Sequence, residues 1–304
     1  MATSAVADWA QSREAGARWQ FRLLLWLALH APDRLTDPLL WLVSLVFACQ
    51  ARRPSTQASA AYLERILGRK ARLRDRHRHA LVFAQVYLDR VKLLSGGLEG
   101  FVVEVRGREM IAEAVAAGRG GVLLGAHFGS FEALRALDRA LPGLRVHYLM
   151  YPEHARASSA LLDGLNASVA ERVISLQDSQ QAMLKVVEAL DRGDFVAFLG
   201  DRVLKRSERG QVEAPFLGEP IRLPTSPYVA AIAARVPLFF CTAPRSGKHR
   251  YAIEFSLLHD GAPVDRALRR ARIDELARRY LEALEGMCRR HPHNWFNFFD
   301  IWRR

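Results

Sequence analysis

"VLLGAHFGSFEAL", residues 122–134, is the stretch on which the fold turns. Val122–Leu124 is apolar without alternation, the pattern of a strand covered on both faces. Gly125 and Gly129 permit tight backbone turns. Ser130 is placed to cap a helix whose first turn holds Glu132, where the helix field favours an acid. Strand, turn and helix thus follow one another directly, with His127 and Glu132 at the join. On one helix five residues rotate through about 500°, leaving the two side chains ~140° apart. At a strand–helix junction the same spacing can fold them together. Two readings follow. In one, Glu132 holds a ring nitrogen of His127, and the other nitrogen removes a proton from a substrate hydroxyl or amine. In the other, Glu132 belongs to the helix start and His127 is a satisfied loop residue.

The alternation continues in both directions. Strands are expected at 101–105, 121–126, 145–150, 173–176, 195–199, 238–242 and 251–257. Helices are expected at 111–117, 131–141, 155–167, 180–190, 228–234 and through most of 264–290. This order predicts an α/β fold, a central mixed sheet flanked by helices. His127 would then lie beyond the C-terminal end of a strand, where open sheets receive ligands.

The first 97 residues read differently. "FRLLLWLALHA" (21–31) and "LLWLVSLVFAC" (39–49) are apolar but shorter than the ~20 residues a membrane span needs, and "PDRLTDP" (32–38) reads as a turn between them. They predict a buried helical hairpin, an element lying in a membrane interface, where Trp19, Trp26, Trp41 and Phe47 suit the headgroup boundary, or, as the least supported reading, a span. Helices are expected at 58–67 and 80–94, closed by the Ser95–Gly97 turn. Two regions are expected: an N-terminal helical, membrane-associating part at 1–97 and an α/β part at 98–304 packed against it.

Composition narrows the partners. Forty-four Lys and Arg against 32 Asp and Glu leave a net charge of +12. Such a surface favours anionic partners. "RILGRKARLRDRHRH" (65–79) concentrates the charge, either as a solvated helix face or as a patch facing phosphates. Nucleic acid is not expected, because aromatic residues are not interleaved as stacking platforms. Cys49, Cys241 and Cys288 are isolated and predict neither a disulfide scaffold nor a zinc site. No close-spaced set of metal ligands is present.

Beyond the apolar run 195–199 lies "GDRVLKRSERGQVEAPFLGEPIRLPTSP" (200–227), read as a long loop framing the cleft. Asp201 and Arg202 fall at the strand's end. Arg202 has the fork geometry to hold a phosphate or carboxylate, and Asp201 can orient it or a substrate hydroxyl. Lys205, with Arg206 and Arg209, can supplement an anion site. "PFLGEP" (215–220) would form a stiff apolar rim that makes Phe216 and Gly218 candidate substrate contacts. Gly129 and Ser130 are candidate contacts in the turn after His127. In the tail, "HPHNWFNFFDIW" (291–302), the aromatic residues either seal a core edge or rest against lipid.

Taken in order, "HFGSFE" (127–132), "GDFVAFLGDR" (193–202), "VEAPFLGEPIRLPTSP" (212–227) and "HPHNWF" (291–296) resemble the bacterial lipid A biosynthesis acyltransferases. That family is the lauroyl/myristoyl branch of the lysophospholipid acyltransferase-like superfamily. The helical "YLERILG" (62–68) and "FAQVYLDRVKLLSG" (83–96) extend the likeness over most of the chain. The resemblance implies a glycerolipid-acyltransferase-like fold, His127 as general base and Glu132 as its orienting partner. It implies an acyl thioester of acyl carrier protein or coenzyme A as donor substrate, an amphiphilic lipid or glycolipid acceptor, and no metal or resident organic cofactor. It implies work at the cytoplasmic face of the inner membrane, among anionic lipids. Arg202 or backbone N–H groups are the expected oxyanion donors. The loop at 200–210 departs from the family's usual Asp-Gln-Asp-like element, which leaves the acceptor open. Two other functions fit the same residues: a thioesterase or lipid hydrolase, with water as acceptor, and a peripheral membrane-binding protein without chemistry.

Overall fold

The structure is a computed structural model, and it describes residues 31–96, 98–137, 141–150, 172–175, 179–203 and 210–302. Residues 21–30 of the first apolar segment, the helix expected at 155–167, and Lys205, Arg206 and Arg209 lie outside these.

Three helices come first: α1 (Asp33–Cys49), α2 (Pro54–Leu67) and α3 (Leu73–Gly96). The α/β part follows as β1 (Val102–Arg106), α4 (Arg108–Ala116), β2 (Gly121–Gly125), a 3-10 helix (Phe131–Ala136), β3 (Val146–Met150), β4 (Val173–Ser175), α5 (Ser179–Asp191) and β5 (Phe195–Leu199). It continues with β6 (Gln211–Phe216), β7 (Glu219–Pro224), α6 (Ser226–Ala234), β8 (Leu238–Thr242), β9 (Arg245–Gly247), β10 (Arg250–His259), a short 3-10 turn (Arg266–Leu268) and α7 (Arg269–Arg290). The sheet runs β1-β10-β8-β2-β5-β3-β4, with β9 beside β10. The β10–β8 pair is antiparallel and the other neighbours along that path are parallel, so the sheet is mixed as expected.

The apolar strands are central because both faces are covered. Val122 and Leu124 of β2, with Val196 and Phe198 of β5, enter a core completed by α2, α5, α6 and α7. Leu123, Phe195 and Ala197 point the other way, into a core shared with α3 and α4. Tyr62, Leu63 and Ile66 of α2 sit in the first of these cores, so the N-terminal helices share the interior of the sheet.

Three local expectations change. The 32–38 segment is not a turn: α1 begins at Asp33 and carries Pro38 inside it. Its start is fastened by Asp33, whose carboxylate meets Lys92 at 2.7 Å and His249 at 2.8 Å. The helix expected at 131–141 opens as a 3-10 helix over Phe131–Ala136, and residues 138–140 lie outside the described ones. Ala133 and Leu134 within it, and Leu137 just past it, are buried. The 200–227 loop contains a β-hairpin, β6–β7, in which Pro215 stands opposite Pro220. Its turn, Leu217–Gly218, has positive φ at both residues, as a two-residue hairpin with strand-matched twist requires. The prolines disguised strands whose inward positions, Val212, Ala214, Phe216, Ile221 and Leu223, are all buried.

Candidate active site

β2 and β5 are parallel neighbours with Gly125 opposite Leu199. Two residues past each strand end stand His127 and Asp201, so the register itself delivers them to each other. His127 Nδ1 lies 2.8 Å from Asp201 Oδ1, and the His127 backbone N–H donates to Asp201 Oδ2 at 3.1 Å. Trp295 Nε1–H donates to the same Oδ2 at 3.0 Å. The Asp201 side chain is fully buried, whereas that of His127 is 34% exposed. Burial alone would raise the Asp201 carboxyl. The His127 charge and hydrogen bond, the adjacent Arg202 and the Trp295 N–H outweigh it and hold the group well below the usual carboxylate range. An ionised carboxylate only accepts, so the neutral imidazole carries its proton on Nδ1 and Nε2 is its basic nitrogen.

The loop bearing His127 is stitched on two sides. Phe296 N–H donates to the His127 carbonyl at 2.7 Å, and Gly129 N–H donates to the Asn294 carbonyl at 2.8 Å. Ser130 N–H donates to the Ala243 carbonyl at 2.9 Å at the end of β8. Gly129 has φ +64°, and a Cβ there would overlap the Ala243 carbonyl oxygen, so only glycine fits. Ser130 is buried, and its hydroxyl accepts from Ala133 N–H at 3.3 Å, the capping role its position implied.

The expected contact between Glu132 and His127 is not formed. Glu132 Oε1 lies 2.7 Å from Nε of Arg90 on α3, off the N–H direction, so the two form an ion pair without an aligned hydrogen bond. Its other oxygen accepts from the Ser130 hydroxyl at 3.5 Å. The carboxylate on the imidazole is Asp201, because strand pairing brings residues 74 apart into register while the 3-10 helix carries Glu132 toward α3.

Arg202 is fastened inward. Its Nη2 donates to the Phe296 carbonyl at 2.6 Å, and its guanidinium lies 4.6 Å from the centroid of Phe299. Burial lowers its affinity for the proton, partly offset by Asp201. Its Nε is buried and without a hydrogen-bond partner. The guanidinium thus holds the tail, and the backbone N–H groups of residues 127–130 already have acceptors within the fold: Asp201, Ala126, Asn294 and Ala243. The backbone N–H groups of this loop are thus engaged, while Arg202 keeps its Nε–H without an acceptor.

Phe216 is buried, with its ring 5.1 Å from that of Trp295, which places it behind the Asp201 cluster. Gly218 sits in the hairpin turn with no atom near the position of a Cβ. Sequence reading missed Trp295 and Asn294. The available signal was chemical: a buried indole N–H must find an acceptor, and Trp295 is fully buried. Asn294 Oδ1 accepts from Arg245 N–H at 2.8 Å and ties the tail to the β8–β9 link.

The arrangement is a partly exposed imidazole oriented by a buried carboxylate, at the C-terminal edge of parallel strands, suited to general acid–base work. Among the described residues, no group of three or more His, Cys, Asp and Glu side chains is placed to hold a metal ion. No curated protein matches the chain. Residues 100–304 match the family model described as bacterial lipid A biosynthesis acyltransferase.

Proposed function

Because the chain belongs to the bacterial lipid A biosynthesis acyltransferase family and is an acyltransferase, we propose that His127, oriented by Asp201, is the base that drives acyl transfer. The donor in this scheme is a fatty acyl thioester of acyl carrier protein or coenzyme A, and the acceptor is a hydroxyl or amine of a lipid or glycolipid. His127 Nε2 takes the acceptor proton as its oxygen or nitrogen attacks the thioester carbonyl carbon. The tetrahedral adduct collapses, the carbon–sulfur bond breaks, and the imidazolium returns the proton to the departing thiolate. The observation carrying this reading is the 2.8 Å bond between His127 Nδ1 and Asp201, which fixes the tautomer and stabilises the imidazolium formed on proton capture. Glu132 enters through Arg90, steadying the loop against α3.

The surface of α1 supports action at a lipid interface. Its inward face is Thr36, Leu40, Ser44 and Ala48. Outward stand Leu35, Leu39, Leu42, Val43 and Val46, each between 40% and 63% exposed. A helix that turns one leucine among small and polar residues inward and a row of large aliphatics outward suits an interfacial position. No helix among the described residues is long and apolar enough to cross a membrane. The exposed Arg52 and Arg53 just past α1 would meet anionic headgroups. The inner membrane's cytoplasmic face is the proposed workplace. An acidic acyl carrier protein is the proposed donor carrier, drawn by the +12 chain.

The test is product analysis with an acyl carrier protein thioester and a panel of amphiphilic acceptors. One equivalent each of thiol and acylated acceptor is expected. Free fatty acid as the only product would replace this reading with hydrolysis.

A further inference from the structure

Trp295 is held at both ends. Its indole N–H donates to Asp201, and its carbonyl lies 2.8 Å from Nε2 of His79 on α3. A carbonyl only accepts, so the His79 proton sits on Nε2. The His79 Nδ1 lies 2.8 Å from the hydroxyl of Ser59 on α2, which donates to it. His79 is fully buried and stacked on Phe298, ring centroids 4.7 Å apart at 22°. Burial chiefly, with His293 nearby, pushes the His79 imidazole down to about 4, so it is neutral at ordinary pH. Two runs of hydrogen bonds, Ser59 to His79 to the Trp295 carbonyl and the Trp295 indole to Asp201 to His127, are thus joined through the covalent frame of Trp295.

We propose that Ser59, His79 and Trp295 are positioning residues for the base, setting how strongly Asp201 holds the His127 imidazole. The inference rests on the acyl-transfer reading for its catalytic meaning, though not for its test. Its consequence is architectural. Ser59 and His79 lie on α2 and α3, before the matched span 100–304, so the N-terminal helices as well as the α/β part support the base. The Trp295 peptide also fixes the loop, because the next residue, Phe296, donates to the His127 carbonyl. Loss of the His79 anchor is therefore felt at the imidazole along two routes.

The experiment is an NMR titration of the His127 ring in the full chain without substrate, in wild type, Trp295→Phe, His79→Phe and His79→Gln. Removing the indole donor leaves the Asp201 carboxylate more basic. The His127 midpoint should then rise by on the order of half a pH unit to one unit in Trp295→Phe. His79→Phe should move it the same way by less. His79→Gln, which keeps an N–H near Nε2, should return it toward wild type. The acid limb of the kcat–pH profile should follow, with KM little changed. If the Phe variants do not fold, the wild-type protein still decides: the Trp295 indole N–H resonance should shift with the His127 midpoint. A folded Trp295→Phe with an unmoved His127 midpoint overturns the inference, as does an indole resonance indifferent to that titration. Absence of acyl transfer in wild type would refute the functional reading alone, leaving the titration to judge the positioning.

Discussion

Asp201→Asn tests the pair with almost no change of shape. The Asp201 carboxylate accepts three hydrogen bonds: His127 Nδ1–H on Oδ1, and His127 N–H and Trp295 Nε1–H on Oδ2. An amide cannot satisfy all three donors. If its oxygen keeps the Oδ2 position, its NH2 faces His127 Nδ1 and forces the proton onto Nε2, which then has no lone pair for the acceptor proton. If the amide flips, NH2 meets two N–H groups in a fully buried site. Either outcome also removes the charge that stabilises the imidazolium. A charge-assisted hydrogen bond is worth roughly 1.5–3 kcal/mol, which at about 1.4 kcal/mol per decade is about 10- to 100-fold in rate. The wrong tautomer adds to this, so kcat should fall by roughly 10²- to 10⁴-fold. The assay is steady-state acyl transfer, with ¹⁵N NMR of the imidazole reporting the tautomer. A folded Asp201→Asn protein with the Nδ1–H tautomer and kcat within about threefold of wild type would refute the reasoning.

Four further outcomes are expected. Glu132→Gln should leave the His127 titration near its wild-type midpoint and cost less in kcat than Asp201→Asn, since its partner is Arg90; a larger loss would return Glu132 to the base system. Gly129→Ala should destabilise the fold by about 3 kcal/mol or more in urea unfolding, because the methyl meets the Ala243 carbonyl at a left-handed φ. The buried, neutral His79 makes stability depend on pH: its folded value, about 4, lies below the unfolded 6.5, so the native state loses on the order of 3 kcal/mol as pH falls from about 6.5 to 4. Unfolding of His79→Gln should be correspondingly less sensitive over that window. Leu42→Asp with Val43→Asp should weaken co-sedimentation with anionic vesicles by at least about tenfold, since each aliphatic is worth roughly 1.5–3 kcal/mol when fully removed from water.

Much of the fold was legible because burial on both faces writes itself as unbroken apolar runs: Phe195–Leu199 and Leu238–Thr242 have the expected bounds. The hairpin β6–β7 escaped because Pro215 and Pro220, facing each other, look like loop residues. His127 was legible from its place after β2. Its partner was not, because Glu132 is near in sequence while Asp201 becomes near only once β2 and β5 are known to be parallel neighbours. Arg202 was read as facing substrate because it falls at a strand's end with a fork suited to anions, and the tail supplies a carbonyl and an aromatic face that hold it inward. Trp295 was read with the tail aromatics as sealing a core edge or resting against lipid. Its ring does pack, against Tyr62 and Phe216, and its one polar atom supports the carboxylate.

The most direct measurement is a single-turnover reaction of the thioester donor with an accepted amphiphile, comparing wild type with folded His127→Ala. Wild type should release thiol and form acylated lipid at one common rate, and the variant should slow both together by several decades. Transfer by His127→Ala at the wild-type rate would contradict the assignment of the base.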